Sequence, residues 1–309
     1  VLNVTFNMLK AESKDGCKDG DQMKIKKHKL MQIIIEEMNK IADESVDLIL
    51  CDLPYGTTDR KGVEEKGNNR LLKWDTVIPL DLLWEQYRRV LKPLGTVALT
   101  ADQPFTSMLI LSNLDWFKYE WIWKKQKTTG FLLANYRPMK ETEDVVIFSP
   151  GGAAAASRNG KNMTYNPQGL IEKKVKKKNS AKRLGKFLHN PEHMGENNKL
   201  LHETEYEQKW TNYPSEIIEF GLDRNVIHPT QKPVALMEYL IKTYSNEGET
   251  VLDNCMGSGT TGVACKKTNR NFIGIEKETE YFTQAKERIE SVTVEEVSQN
   301  PLQVAMESV

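Results

Sequence analysis

The stretch VLDNCMGSGTTGVAC, residues 251–265, compresses a strand end, a glycine loop and a helix start into one short run. Apolar residues stop at Asp253, Gly257 and Gly259 carry the loop, and helix-forming residues begin near Thr260. In that arrangement the backbone N–H groups of the loop and of the first helical turn face whatever fills the crevice beyond the strand. Gly257, Gly259 and Gly262 spell G-x-G-x-x-G, and Glu276 closes the next apolar run about where an acid would grip ribose hydroxyls. Glycines alone also serve tight helix–strand packing. Acids at two successive strand ends favour a nucleotide or nucleoside site.

Outward from this stretch, the pattern is strands alternating with helices. The spacing predicts a helix over 28–41, a strand over 46–51 (VDLILC), a helix over 81–93 stopped by Pro93, a strand over 95–101 and a helix over 104–114. YEWIWK (119–124) and EDVVIFS (143–149) read as two more strands. On the other side, 228–245 is mostly helix, 249–253 a strand, 260–269 a helix, FIGIE (272–276) a strand and 278–292 a helix. Continuous apolar strands between such helices mean an α/β fold, a mostly parallel sheet with helices on both faces. Residues 1–27 are polar with little periodicity and read as a loosely ordered arm, and 293–309 as a tail. Regularity also breaks between 151 and 222, which reads as an insertion separating a 28–150 half from a 223–292 half.

Forty-three basic residues balance forty-three acidic ones over 309 positions, so attraction to a polyanion must come from local clustering. One cluster exists: residues 171–186 hold seven lysines and one arginine against a single glutamate. Its members Lys173, Lys174, Lys176, Lys177, Lys178, Lys182 and Arg183 suit phosphate contact, with Tyr165, Tyr206, Trp210 and Tyr213 near enough to pack or stack. A solvated face is the plainer reading of such a run. The four cysteines form no C-x-x-C pair, which disfavours a disulfide framework or structural zinc and suits free thiols; no metal is expected. There is no run of eighteen apolar residues and no leader pattern, so a cytoplasmic protein without a membrane partner is expected.

A second stretch, ILCDLPYGTT at 49–58, runs a buried strand into an acid, a proline and a tyrosine. The exocyclic amine of a nucleobase is a poor nucleophile because its lone pair is delocalised into the ring. A carboxylate and a carbonyl accepting its two N–H groups would draw that nitrogen toward tetrahedral geometry, freeing the lone pair for an in-line attack on a sulfonium methyl. Asp52 supplies the carboxylate. Pro54 holds Leu53 extended, so that its carbonyl can point into the site, and Tyr55 offers a ring to a base rotated out of its duplex. A dinucleotide cofactor and oxidoreductase chemistry would also suit the glycine loop, but would leave Asp-Leu-Pro-Tyr without a purpose.

CDLPYGTT resembles the catalytic D-P-P-Y motif of the β-class DNA amino-methyltransferases, and HPTQKPVALMEYLIKTYSNEGETVLDNCMGSGTTGVAC (228–265) resembles their cofactor-binding half. The catalytic motif comes first, as in the β class. The resemblance implies a Rossmann-like, S-adenosylmethionine-dependent methyltransferase fold with a seven-stranded, mostly parallel sheet, in which the Asp52 and Asp253 strands are neighbours. It implies that Asp52, Leu53, Pro54 and Tyr55 hold the target amine and base. It assigns Asp253, Gly257, Gly259 and Thr260 to the methionine part of S-adenosylmethionine, with Cys51, Asn254, Cys255, Met256, Ser258 and Thr261 in the same shell. Glu276 would take the ribose and Lys232 would lie near the cofactor carboxylate. An acid at the head of the motif favours adenine N6 over cytosine N4, whose enzymes usually carry serine there.

The partners implied are DNA, through the inserted target-recognition region, and, by analogy with the class, a second copy of the chain and a cognate restriction enzyme. Some positions depart from the pattern. Gln32 and Ile33 stand where relatives have Gly-Asp, and Thr142 and Glu143 where a His-Glu pair is common. Leu53 replaces a proline, and the 56–74 segment is long enough for a lid. A catalytically silent DNA-binding relative is the alternative these departures keep open. His228 reads as a loop histidine, and Trp121 and Trp123 as packing residues on one side of a strand.

Overall fold

A computed structural model describes residues 4–8, 34–55, 78–154, 161–178, 205–224, 226–227 and 231–293. Its main element is an eight-stranded sheet: β1 (Val4–Met8), β2 (Val46–Asp52), β3 (Leu91–Ala101), β4 (Phe117–Thr129), β5 (Lys140–Phe148), β8 (Ile217–Phe220), β9 (Thr250–Asp253) and β10 (Asn271–Glu276). They lie in the order β1-β10-β9-β2-β3-β5-β4-β8. β5 alone among these strands runs against its neighbours.

Side-chain alternation along β2 explains why VDLILC reads as unbroken apolar sequence. Leu48 and Leu50 enter one core layer, with Val251 and the helices α3 (Val234–Tyr244), α4 (Thr260–Lys267) and α5 (Thr279–Glu290). Ile49 and Cys51 enter the other, with Leu252 and the helices α1 (Leu80–Val90) and α2 (Phe105–Ser112). Both faces of the strand are covered, so both sets of alternate residues must be apolar.

β9 lies beside β2, with Leu48 opposite Val251 and Ile49 opposite Leu252. From β9 the chain continues outward to β10, whereas from β2 it continues to β3 on the other side. The two strands therefore flank the point where the winding reverses, and a crevice opens beyond their carboxyl ends. Asp47, at the opposite end of β2, ties three strands together: its Oδ2 accepts the Thr250 N–H at 3.0 Å and both oxygens lie 2.8 Å from Lys92 Nζ.

Several boundaries differ from expectation. The 1–27 arm contributes β1, which pairs in parallel with β10 from Val4↔Phe272 to Met8↔Glu276. The expected seven strands gain an eighth, β8, from within the supposed insertion. Residues 151–166 and 216–222 belong to the main unit: Met163 is in its core, and Asn166 binds the Thr243 carbonyl through its backbone N–H at 2.7 Å. Helix α1 ends at Val90 and β3 starts at Leu91, so Pro93 lies in a strand instead of stopping the helix. Of the 28–41 helix, residues 34–38 are helical and 28–33 lie outside the described residues. The tail beyond 293 lies outside them too.

The second compact unit spans Pro167–Ser215. Its described part is an antiparallel ribbon of β6 (Ile171–Lys178) and β7 (Glu205–Thr211), in which Lys176 faces Glu207 and Lys178 faces Glu205.

Candidate active site

A cavity of about 460 Å³ occupies the crevice. Asp52, Leu53, Pro54 and Tyr55 line one part, and Asp253 to Ser258, Thr260, Thr261 and Glu276 line another. The two motifs, some 200 residues apart in the chain, thus share one cavity because β2 and β9 are parallel neighbours.

Asp52 is held through one oxygen. Its Oδ1 accepts the Tyr55 hydroxyl at 2.7 Å and the Thr100 hydroxyl, and stands 3.0 Å from Lys232 Nζ. Among the described residues Oδ2 takes no partner, and the side chain keeps 25% of its surface exposed. Three contacts on one oxygen fix the carboxylate plane and leave the other free to accept.

Tyr55 does more than present a ring. One face of the ring stacks on Phe105, with centroids 5.4 Å apart, and its hydroxyl oxygen lies 2.9 Å from Thr100 Oγ1. Burial, and the Asp52 and Glu143 carboxylates after it, push the phenol well above its ordinary pKa, so it remains a donor to Asp52.

The cofactor-type loop is tied from three sides. Asp253, buried, accepts the Cys255 N–H on Oδ1 at 3.1 Å and the Thr261 hydroxyl on Oδ2 at 2.6 Å. Glu276 accepts the Gly257 N–H at 2.9 Å and the Glu278 N–H at 2.8 Å. Arg288 of α5 donates to the Ser258 carbonyl and to Thr260 Oγ1, each at 3.0 Å, and the buried Tyr87 hydroxyl donates to Asn254 Oδ1 at 2.7 Å. Gly259, at φ +74°, is required twice over: its backbone is left-handed, and a Cβ there would stand 2.9 Å from the Ala285 Cβ. Burial raises the carboxyl of Asp253 to about 6 despite its hydrogen bonds, and raises that of Glu276 as well.

Other residues expected around the cofactor are placed as follows. Cys51 is fully buried beneath the loop and does not line the cavity; burial, and then the neighbouring Cys255, raise its thiol well above the ordinary value. At Gly259 it is the side a Cβ would occupy that is turned toward α5. Lys232 lines the cavity, and its ammonium stands between Asp52 Oδ1 at 3.0 Å and Glu143 Oε2 at 3.1 Å, on the Asp52 side. Trp121 and Trp123 are buried, as packing residues are.

Sequence reasoning noted Glu143 only as a departure, and missed Lys125 and Thr100. Lys125 Nζ donates to Glu143 Oε1 at 2.5 Å, which extends the chain of charges to Asp52–Lys232–Glu143–Lys125. Trp123, paired with Glu143 across β4 and β5, and Lys125 fall on alternate positions, and that alternation is the one signal that Lys125 shares a face with a buried side chain.

Lys173, Lys174, Lys176 and Lys177 are exposed on β6, and Lys178 closes that strand. Lys182, Arg183, Gln32, Ile33, His228 and the 56–74 segment lie outside the described residues.

Residues 46–287 match the model of the DNA methylase family. The chain is 29% identical over 267 residues to the type II methyltransferase M.HpaI of Haemophilus parainfluenzae, covering 83% of this chain and 72% of that protein. It is 28% identical to the DNA adenine methyltransferase YhdJ of Escherichia coli, covering 83% and 80%. Among solved structures it resembles the cytosine-N4-specific PvuII DNA methyltransferase in fold, with a TM-score of 0.54 at 15% identity, over 96% of this chain and 91% of that one. A family match spanning most of the chain, around a cavity that joins Asp-Leu-Pro-Tyr to the glycine loop, means that the chain belongs to the N6/N4 DNA methylase family.

Proposed function

We propose that the chain transfers a methyl group from S-adenosylmethionine to the N6 amine of adenine in DNA, after rotation of the base out of the duplex. The observation that carries this is the Asp52 carboxylate, anchored through Oδ1 with Oδ2 free of partners among the described residues, in the same cavity as Asp253, Glu276 and the glycine loop. The cavity fits the cofactor chemically. Gly257, at φ +50° and lining the cavity, has nothing nearer to its Cβ position than the Cys255 carbonyl at 4.0 Å, and the two strand-end acids are suited to an ammonium group and to ribose hydroxyls. S-adenosylmethionine supplies an electrophilic methyl on a sulfonium, and Asp253 with the 254–261 loop would hold its methionine part, Glu276 its ribose.

On the other side, Asp52 Oδ2 accepts one N–H of the target amine and the Leu53 carbonyl accepts the second. Pro54 has no N–H of its own to compete for that carbonyl. The two acceptors draw the nitrogen out of conjugation and aim its lone pair at the loop, so positioning and electrostatics supply the catalysis. The surplus proton of the methylated amine leaves toward Asp52. One face of Tyr55 is filled by Phe105, which leaves the opposite face for the flipped base.

Adenine is favoured because an acid, Asp52, heads the motif, and because YhdJ is named a DNA adenine methyltransferase. Cytosine N4 is the second reading; its amine poses the same chemical problem, and the PvuII enzyme of similar fold is named for it. Lys173 to Lys178 are proposed to contact DNA phosphates, with Lys182 and Arg183. A second copy of the chain and a restriction enzyme are proposed as partners on the resemblance alone, and the cytoplasm as the location. No helix among the described residues is long and apolar enough to cross a membrane.

Mass spectrometry of nucleosides digested from DNA treated with the enzyme and S-adenosylmethionine is expected to show N6-methyladenine. N4-methylcytosine alone would establish the second reading, and no methylated nucleoside would refute both.

A further inference from the structure

Among the described residues Lys232 is the only buried lysine, and it lines the cavity. Its ammonium carries three N–H donors. Asp52 Oδ1 stands 3.0 Å from it and Glu143 Oε2 3.1 Å, the latter off the axis of a hydrogen bond. Those two carboxylates account for at most two donors, and no third acceptor stands against the ammonium among the described residues. The Asp52 carboxylate and the Lys232 ammonium therefore present an acceptor and a donor side by side to the same cavity.

An exocyclic amine next to an unprotonated ring nitrogen presents the complement, a donor beside an acceptor. Adenine has that edge in N6 and N1, cytosine in N4 and N3. On its Watson–Crick edge guanine's amine adjoins N1–H instead, which would face Lys232 donor to donor; its bare N3 lies on the other side of the amine, toward the sugar. The ammonium lies 5.6 Å from the centroid of the Tyr55 ring. A base stacked on that ring at about 3.5 Å would bring its edge to the ammonium. We propose that Lys232 reads the Watson–Crick ring nitrogen adjacent to the target amine, and so favours bases whose Watson–Crick edge sets an amine beside a bare ring nitrogen. This rests on the function proposed above and narrows its substrate class.

The geometry also supports a lasting donor. Burial alone would lower the pKa of Lys232, but Asp52 and Glu143 outweigh it and the net shift is upward, so the ammonium keeps its proton across the working range. Lys125 neutralises the other oxygen of Glu143, which keeps the cluster balanced when a neutral base enters.

The test uses the wild-type chain and two duplexes carrying its methylation sequence, established by modified-base sequencing. One holds adenine at the target, the other 1-deazaadenine, in which a C–H replaces N1; for a cytosine target the 3-deaza analogue serves. Loss of one hydrogen bond to a charged donor is expected to lower kcat/KM on the deaza duplex about tenfold to a hundredfold. Lys232→Met should lower the rate on adenine and reduce the ratio between the duplexes to near one. Equal rates of wild type on the two duplexes would overturn the inference, and that arm does not depend on whether the variant folds. Absence of methyl transfer to the unmodified duplex would overturn the proposed function and this inference with it.

Discussion

Asp253 shows what placing a carboxylate in the cavity wall demands. It is buried at the end of β9, and two hydrogen bonds do not fully replace the water it has lost. Its pKa of about 6 stands above the ordinary 3.8, so between these values the folded chain binds a proton that the unfolded chain has released. The ionised group therefore works against folding at pH 8, by about 3 kcal/mol at most, and that penalty fades as the pH falls from 6 toward 4. Asp253→Asn, which keeps an oxygen for the Cys255 N–H, should raise the melting temperature at pH 8 and lose most of that gain near pH 4. A gain independent of pH, measured by thermal melts across the range, would contradict a raised Asp253 pKa. At this scale Asp52 and Asp253 were legible in the sequence, since each closes an apolar run and is followed by residues with a backbone purpose. The partner of Lys232 was not: Glu143 is distant in the chain, and only the strand order brings it near.

At the scale of elements, β6 carries five lysines in eight residues, a charge run that the sequence makes plain. Its pairing was hidden. β7 sets Glu207 opposite Lys176 and Glu205 opposite Lys178, and Glu172 lies 3.2 Å from Lys174, so the ribbon is less positive than its first strand. An exposed pair such as Lys174–Glu172 contributes little to stability, which leaves its lysine available to phosphate. Replacing Lys176, Lys177 and Lys178 by alanine should weaken DNA binding and reduce the salt slope of log Kd by about 2 to 3, near 0.9 per lost phosphate contact. Titrations at several salt concentrations measure this directly, and an unchanged slope would remove these residues from the interface. β1 and β8 were the elements that the sequence concealed. VTFNM is short and set in a polar arm, and IIEF lies within a stretch that breaks the helix–strand alternation; both are edge strands, for which register with a neighbour matters more than an apolar pattern.

For the main unit as a whole, the chain's two halves meet across one sheet. β9 and β10 come late in sequence yet lie between β1 and β2, so the cavity exists only when both halves have folded together. That juxtaposition rested on the family resemblance, because neither motif by itself states which strand it adjoins. The strand order now supplies the physical reason: parallel β2 and β9 deliver Asp52 and Asp253 to the same end of the sheet. The most direct test separates the two sides of the cavity. In Asp52→Ala, methyl transfer to DNA from tritium-labelled S-adenosylmethionine should fall at least a thousandfold, about 4 kcal/mol in transition-state stabilisation, while calorimetric affinity for the cofactor stays within a few fold of wild type. Methyl transfer retained at the wild-type rate would contradict the role assigned to Asp52.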